Sequence, residues 1–157
     1  METSHCSIIR PASLNDLESI SEIEQKCFSI SAAYSKRQLA YLIIHANSAT
    51  FVESYEGVIR GFVIVTFRQR SFTGHVETID VDPAYTKFGI GLRLLTFAEE
   101  YMRKRGKRRS QLEVSEGNRV ALKLYKKAGY TLKERIKRYY KYEHEGTRDA
   151  MRMVKAL

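Results

Sequence analysis

The sequence predicts an α/β domain with a mixed sheet and helices on both of its faces. Two observations carry this. Apolar residues recur at helical spacing in some segments and at strand spacing in others, in the order β-α-α-β-β-β-α-β-α-β-β. The 157 residues, with two prolines and no repeat, low-complexity tract or linker, suit one domain over residues 1–157.

The elements follow in order. Residues 6–10 read as a first strand. Ser13-Leu14-Asn15-Asp16 is a capping box, and Leu17, Ile20, Ile23 and Cys27 follow on one helical face. A second box, Ser35-Lys36-Arg37-Gln38, opens a helix carrying Leu39, Leu42, Ile43 and Ala46. The period then shortens. Residues 50–55 and 59–68 read as strands joined by a turn at Glu56-Gly57, and residues 75–81 as another. Residues 89–104 form a strong amphipathic helix, with Ile90, Leu94, Phe97, Ala98 and Tyr101 on one face and a basic last turn that suits its dipole. Residues 111–115 are a strand, 118–128 a helix and 130–137 a strand, and 150–154 return to the sheet.

Composition narrows the function classes. Hydrophobic residues make up 43% and charged residues 29%, as in an ordinary soluble protein. The polar start Met1-Glu2-Thr3-Ser4-His5 lacks the basic and apolar regions of a signal peptide. Runs such as Phe62-Val63-Ile64-Val65 fall far short of the ~18 residues of a membrane span, so a cytoplasmic protein without membrane contact is expected. Cys6 and Cys27 make neither a disulfide framework nor a metal site, and His5, His45, His75 and His144 show no ligand spacing. No metal is expected. Residues 103–155 carry 18 Lys and Arg against 6 acids, whereas the remainder carries 9 against 12. A basic half of this kind favours a polyanionic partner, with phosphates of a cofactor or of RNA both qualifying, although a solvated basic surface looks the same.

The segment Asp82-Pro83-Ala84-Tyr85-Thr86-Lys87-Phe88-Gly89-Ile90-Gly91 joins a strand to a helix. Gly89 and Gly91 let the backbone approach a ligand closely. The free N–H groups and dipole of the helix start then favour a phosphate or pyrophosphate. Gly-x-Gly alone is also an ordinary turn. Leu94 stands where a dinucleotide fingerprint needs glycine, and the Gly-Lys-Ser/Thr of a P-loop is missing.

Two blocks sharpen the reading. The first is Gly74-His75-Val76-Glu77-Thr78-Ile79-Asp80-Val81-Asp82-Pro83 with Tyr85 and Lys87-Phe88-Gly89-Ile90-Gly91; the second is Leu112-Glu113-Val114, Asn118, Ala121, Leu124-Tyr125 and Gly129-Tyr130. Together they resemble the GNAT acyltransferase superfamily. Within it they look most like N-terminal acetyltransferases, among them the ribosomal-protein-alanine and archaeal α-amino acetyltransferases. Arg138-Tyr139-Tyr140 and Asp149-Ala150-Met151-Arg152-Met153 resemble the C-terminal hairpin of the same enzymes. The resemblance covers most of residues 6–154. It implies a GNAT fold, with a mostly antiparallel central sheet flanked by about four helices. It also implies acetyl-coenzyme A as co-substrate and the α-amino group of proteins or peptides as acceptor, by direct attack on the thioester. Where the family's pyrophosphate loop usually begins with Gln or Arg, this chain has Thr86, and Lys87 next door is expected to supply the charge.

The resemblance implies a site residue by residue. Ile79, Asp80 and Val81 are expected to pair with the pantetheine arm through their backbone, where an N–H would polarise the thioester carbonyl. Thr86, Lys87, Phe88, Gly89, Ile90, Gly91 and Leu92 form the expected diphosphate cradle. Asn118 and Tyr125, seven residues apart on one helix face, are expected beside the pantetheine and the sulfur. A free α-amino group has a pKa near ~7.7–8.0, so roughly a tenth is neutral at pH 7, whereas lysine near ~10.4 is neutral about once in a few thousand. A modest base therefore suffices. Glu113 is the candidate base, turned away from Leu112 and Val114 by strand alternation, and Tyr125 the candidate acid. His75 falls where some archaeal relatives have an active-site histidine, which a surface histidine would also explain. Tyr34, Tyr139 and Tyr140 match aromatic positions that hold the substrate's N-terminal backbone. The basic cluster at 103–109 suggests ribosome association. Competing readings are transfer to a small amine such as a polyamine or antibiotic, transfer to a lysine side chain, and a non-catalytic module that binds coenzyme A or nucleic acid.

Overall fold

Both capping boxes form. In the computed structural model, which describes residues 6–157, Ser13 and Asp16 close the first box. The start Met1–His5, read above for export signals, lies outside the described residues. After strand β1 (Ile8–Pro11) this box opens a 3-10 turn that runs into helix α1 (Leu17–Cys27). The second box opens α2 (Lys36–Ile44): Gln38 N–H donates to Ser35 Oγ at 3.1 Å and Ser35 N–H donates to Gln38 Oε1 at 2.8 Å. This helix stops before Ala46, which was expected within it. The Ser48 hydroxyl donates to the carbonyls of Leu42 and His45, so a side chain replaces the next helical turn.

Strands β2 (Ser48–Tyr55) and β3 (Val58–Phe67) form the expected hairpin, and both Glu56 and Gly57 adopt the left-handed backbone that a two-residue turn requires. Then come β4 (Thr73–Val81), α3 (Ile90–Lys104), β5 (Arg109–Ser115), α4 (Arg119–Lys127), β6 (Thr131–Ile136) and β7 (Ala150–Ala156). The sheet order is β1-β2-β3-β4-β5-β7-β6. Every pairing is antiparallel except β4–β5, which run parallel because α3 carries the chain back between them.

β3 is the middle of the core and shows why its sequence is a continuous apolar run. Phe62 and Ile64 face α1 and α2, packing with Ile20, Ile23, Leu39 and Val52. Val63 and Val65 face α3 and α4, packing with Leu94, Leu95, Leu112 and Tyr125. A strand covered on both faces has no polar face to show.

Two irregularities position everything that follows. Pairing of β4 with β5 runs from Thr73↔Arg109 to Val76↔Leu112 and there ends. Beyond it β4 stays on β3 as far as Val81 and β5 stays on β7 as far as Ser115, so the sheet splits into a wedge. Second, Val65 pairs with Val76 and Ile64 with Thr78, which leaves Glu77 as the extra residue of a bulge. The bulge resets the alternation. His75 and Glu77 therefore face the same side of the sheet as Thr78 and Asp80.

Candidate active site

The wedge opens into a cavity of about 410 Å³. Val76, Glu77, Thr78 and Ile79 line it from β4, Glu113, Val114 and Ser115 from β5, and Asn118, Ala121 and Tyr125 from the start of α4. Tyr34, from the α1–α2 connection, and Tyr139, Tyr140 and His144, from the β6–β7 loop, complete its wall. Residues far apart in sequence thus meet: Tyr34, Ile79, Glu113, Asn118, Tyr125, Tyr139 and Tyr140 all border one space.

One end of the wedge suits a phosphate. Gly89 caps α3 with φ of 70° and offers no side chain to the first-turn N–H groups. An uncapped helix start of this kind favours an anion. Thr86, Lys87 and Phe88 lie exposed just before it, whereas Ile90 is buried and presents only its backbone. The loop is braced from below, where Asp82 accepts the Ala84 N–H at 3.0 Å and pairs with Lys26 at 3.1 Å. The two glycines serve different ends. Gly89 supplies the left-handed turn, with open space around it, while a Cβ on Gly91 would press on Leu124 at 3.2 Å, so Gly91 is set by the packing of α3 against α4.

Between the phosphate end and the cavity, β4 from Glu77 to Val81 has no strand partner on its β5 side. An extended polyamide fits such an edge as an added strand. Asp80 can offer only backbone here, because its side chain points under α1 and is 1% exposed. The Asn118 side-chain oxygen caps α4 by accepting the Ala121 N–H at 3.2 Å, leaving its amide nitrogen for the cavity. The residues fit a coenzyme A: an anion seat, a free strand edge and a cavity lie in line.

The other end carries ionisable groups. His75 Nε2 is 2.5 Å from Glu113 Oε2, and its Nδ1 is 3.3 Å from Glu77 Oε1. Arg152 Nε, from β7, donates to the second Glu113 oxygen at 2.8 Å. Glu77 also accepts from the Tyr34 hydroxyl at 3.0 Å and from Thr66 at 3.2 Å. Burial alone would depress the imidazole, but Glu113 and Glu77 outweigh it and raise His75 to about 9. Burial likewise works against ionised Glu113, but His75 and Arg152 overcome it and lower the carboxyl to about 2. At neutral pH the group is an imidazolium between two carboxylates. Glu113 alone is thus a weaker base than the sequence suggests; the pair is the unit that titrates.

Tyr125 sits opposite, its ring edge-on to Tyr130 at 5.9 Å. Burial first, and then Asp80, push its phenol above the ordinary range, so it keeps its proton at all working pH values. Glu77, His75, Glu113 and Tyr139 also border a second cavity of about 650 Å³ on the sheet face beside α1 and α2, which continues past Gln111 and Arg152 to Arg68 and Ser71.

Residues 17–130 match the model of the acetyltransferase (GNAT) family. The chain belongs to the GNAT family. GNAT relatives in three organisms illustrate its range. An N-acetyltransferase of Methanocaldococcus jannaschii is 29% identical over 141 residues, which is 82% of this chain and 62% of that one. The catalytic subunit of the N-terminal acetyltransferase B complex of Arabidopsis thaliana is 31% identical over 102 residues, 63% of this chain and 56% of that one. A streptothricin acetyltransferase of Streptomyces lavendulae is 33% identical over 86 residues, 54% of this chain and 46% of that one. The chain therefore spans less than two thirds of the length of these curated relatives. Among solved GNAT structures, the ribosomal-protein-S18-alanine N-acetyltransferase of Escherichia coli superposes with a TM-score of 0.84 at 25% identity, covering 96% of this chain and 94% of that one.

Sequence reasoning did not single out Glu77, Arg152 or Glu24 as part of this GNAT site. Glu77 lies two residues past His75, so plain strand alternation already places both on the side of Glu113, and that signal was open to the sequence. Glu24 left no such signal. It reaches the cavity from α1, accepts the Tyr34 N–H at 3.1 Å and holds the α1–α2 connection in place.

Proposed function

We propose that this chain transfers an acetyl group from acetyl-coenzyme A to the N-terminal α-amino group of a protein or peptide. The observation that carries this reading is the wall of Tyr34, Tyr139 and Tyr140 around the reaction end. Phenols hydrogen-bond a peptide backbone without reading its side chains. A polyamine or cationic antibiotic would instead want carboxylates free to receive it, and the two nearest the reaction end, Glu77 and Glu113, are already held by His75 and Arg152.

When bound, acetyl-coenzyme A supplies the acetyl thioester. The uncapped start of α3, with Lys87 beside it, holds the diphosphate, and the free edge of β4 receives the pantetheine arm. A backbone N–H of that edge polarises the carbonyl. Glu77 and Glu113 orient the incoming amine. His75 loses its resting proton to water through the second cavity, after which the His75–Glu113 pair accepts the amine's proton as the new C–N bond forms. Tyr125, which keeps its proton, donates a hydrogen bond to the departing sulfur, which leaves as a thiolate and takes its proton from water.

The test is to incubate the protein with acetyl-coenzyme A and peptides beginning Ser, Ala, Met or Glu, with spermidine in parallel, and to follow thiol release. Turnover on at least one peptide and none on spermidine is expected. Turnover on spermidine alone would replace the proposal with small-amine transfer. We also propose ribosome association through the basic cluster at residues 103–109.

A further inference from the structure

The basic cluster at residues 103–109 does not stand alone in the fold. It is stitched to a second basic segment, residues 68–72, at the turn between β3 and β4. The carbonyl of Phe72 accepts the N–H groups of Arg108 at 2.7 Å and Arg109 at 3.1 Å. Lys107 Nζ donates to the carbonyls of Arg68 at 3.2 Å and Ser71 at 2.6 Å. One continuous surface results, on which Arg68, Arg70, Arg103, Lys104, Arg105 and Arg108 are all exposed. Among the ion pairs of the described residues, these six engage one acid, Glu100, which pairs with Arg103 at 3.2 Å. Like charges gathered this closely repel one another, and a polyanion would relieve that repulsion.

Aromatic rings interleave with the charges. Phe72 is 62% exposed, with the Arg108 guanidinium over its ring at 4.7 Å. Arg105 and Lys107 lie over Phe67 at 5.5 and 5.6 Å. A large exposed ring costs hydrophobic free energy unless something covers it. An anionic membrane would accept the charge, but one phenylalanine is a small apolar anchor. A nucleic-acid base answers both features, since its face stacks on rings and guanidinium planes while its phosphate meets the basic groups.

We infer that the surface formed by residues 68–72 and 103–108 binds single-stranded RNA, with Phe72 as a stacking platform and the surrounding arginines on the phosphates. The face lies at the outer end of the second cavity, which Arg68 and Ser71 share with Glu113 and His75. RNA held there leaves the wedge open. This inference does not depend on which amine the enzyme acetylates.

The test is fluorescence anisotropy of the full chain with a labelled single-stranded RNA 12-mer and with the matching duplex, over a KCl series. Two exposed-residue variants accompany it, the triple R103E/R105E/R108E and Phe72→Ala. The single strand should bind at 50 mM KCl and weaken steeply with salt, by about 0.7 log units per log unit of salt for each phosphate engaged. The triple reversal should cost about a hundredfold or more, and Phe72→Ala about tenfold on the single strand but little on the duplex. Absence of binding at 50 mM KCl would overturn the inference. So would equal affinities for strand and duplex with Phe72→Ala silent, which would leave a surface that holds polyanions by charge alone. Binding to phosphatidylserine vesicles without binding to RNA would assign the face to a membrane and overturn it too.

Discussion

His75 Nε2 lies 2.5 Å from Glu113 Oε2, across the last paired turn of β4 and β5 before the strands part. The contact joins an imidazole on one lip of the wedge to a carboxylate on the other. It makes the two residues titrate together, and it sets the expected pH behaviour of the site.

The first prediction concerns that behaviour. His75 is raised to about 9, so its proton blocks the pair below that value. The rate on a peptide should therefore keep rising with pH beyond the ~7.7–8.0 of the α-amine itself. In His75→Gln the profile should level off above the amine's own pKa, with kcat lower by about a hundredfold. Profiles of kcat/KM from pH 6 to 10 measure this; superimposable curves would remove His75 from the proton path. The stability linkage has two limbs. The raised His75 contributes fully below 6.5, and that contribution is lost as pH rises through about 9. The lowered Glu113 contributes above 4.5, and its share is lost as pH falls through about 2.

Glu113→Gln should be costly to both stability and rate. It leaves Arg152 and His75 short of an anion in a half-buried setting, a loss of about 1–3 kcal/mol by thermal or urea denaturation. Coenzyme A affinity by calorimetry should not change, because the proposed diphosphate seat at the start of α3 is at the far end of the wedge. Wild-type turnover in this variant would take Glu113 out of the mechanism.

Tyr125→Phe removes one hydroxyl and keeps the ring in its edge-on contact with Tyr130. The melting temperature should hardly move, while kcat drops by about tenfold to a hundredfold with KM for acetyl-coenzyme A unchanged. Full activity would leave the ring a packing role only.

Gly117→Ala tests the wall of the cavity. A Cβ there would collide with the Glu145 carbonyl oxygen. The Ser115 hydroxyl donates to the His144 carbonyl at 2.5 Å and the Glu116 N–H to that of Asp149 at 3.0 Å, so this turn pins the β6–β7 loop that carries Tyr139 and Tyr140. The variant should raise peptide KM several-fold and cost about 1–3 kcal/mol of stability. An unaltered KM would show that the loop position is unimportant for substrate.

Asp80→Asn should stabilise the fold at neutral and alkaline pH. Asp80 and Glu24 are each 1% exposed, and Glu24 Oε2 and Asp80 Oδ2 lack other partners. Burial, and then Glu24, push the Asp80 carboxyl up, so Asp80 retains its proton. A raised acid stabilises the folded state below its unfolded value of 3.8, and that contribution is lost as pH climbs through the folded one. An amide keeps a hydrogen-bond donor without that dependence. Melting temperatures from pH 4 to 9 should converge at the acid end and separate in favour of Asp80→Asn above it; parallel curves would refute the retained proton on Asp80.

The layout of the fold was legible because it depends on local rules. The boxes at Ser13 and Ser35, the left-handed turn at Glu56-Gly57 and the spacing of Ile90, Leu94 and Ala98 each specify an element through its near neighbours. The uncapped helix start proposed to hold the diphosphate was legible for the same reason, since a glycine before an amphipathic helix is a local event. Glu113 and Tyr125 could be picked out because they sit within motifs on single elements.

What sequence could not specify are relations that exist only between elements. Alternation along β4 places every second residue on one face, yet a single extra residue, Glu77, reverses the order beyond it and turns Thr78 and Asp80 to the face that His75 shares with Glu113. The choice is made by β3, whose Val65 and Ile64 must each meet a partner in the core. The sequence by itself determined the elements, the anion seat and the residue types available for chemistry. The tertiary structure decided which carboxylate is paired, which proton is held and which basic segments share a surface. Charge and hydrogen bonding act through space, and that distance is set by packing.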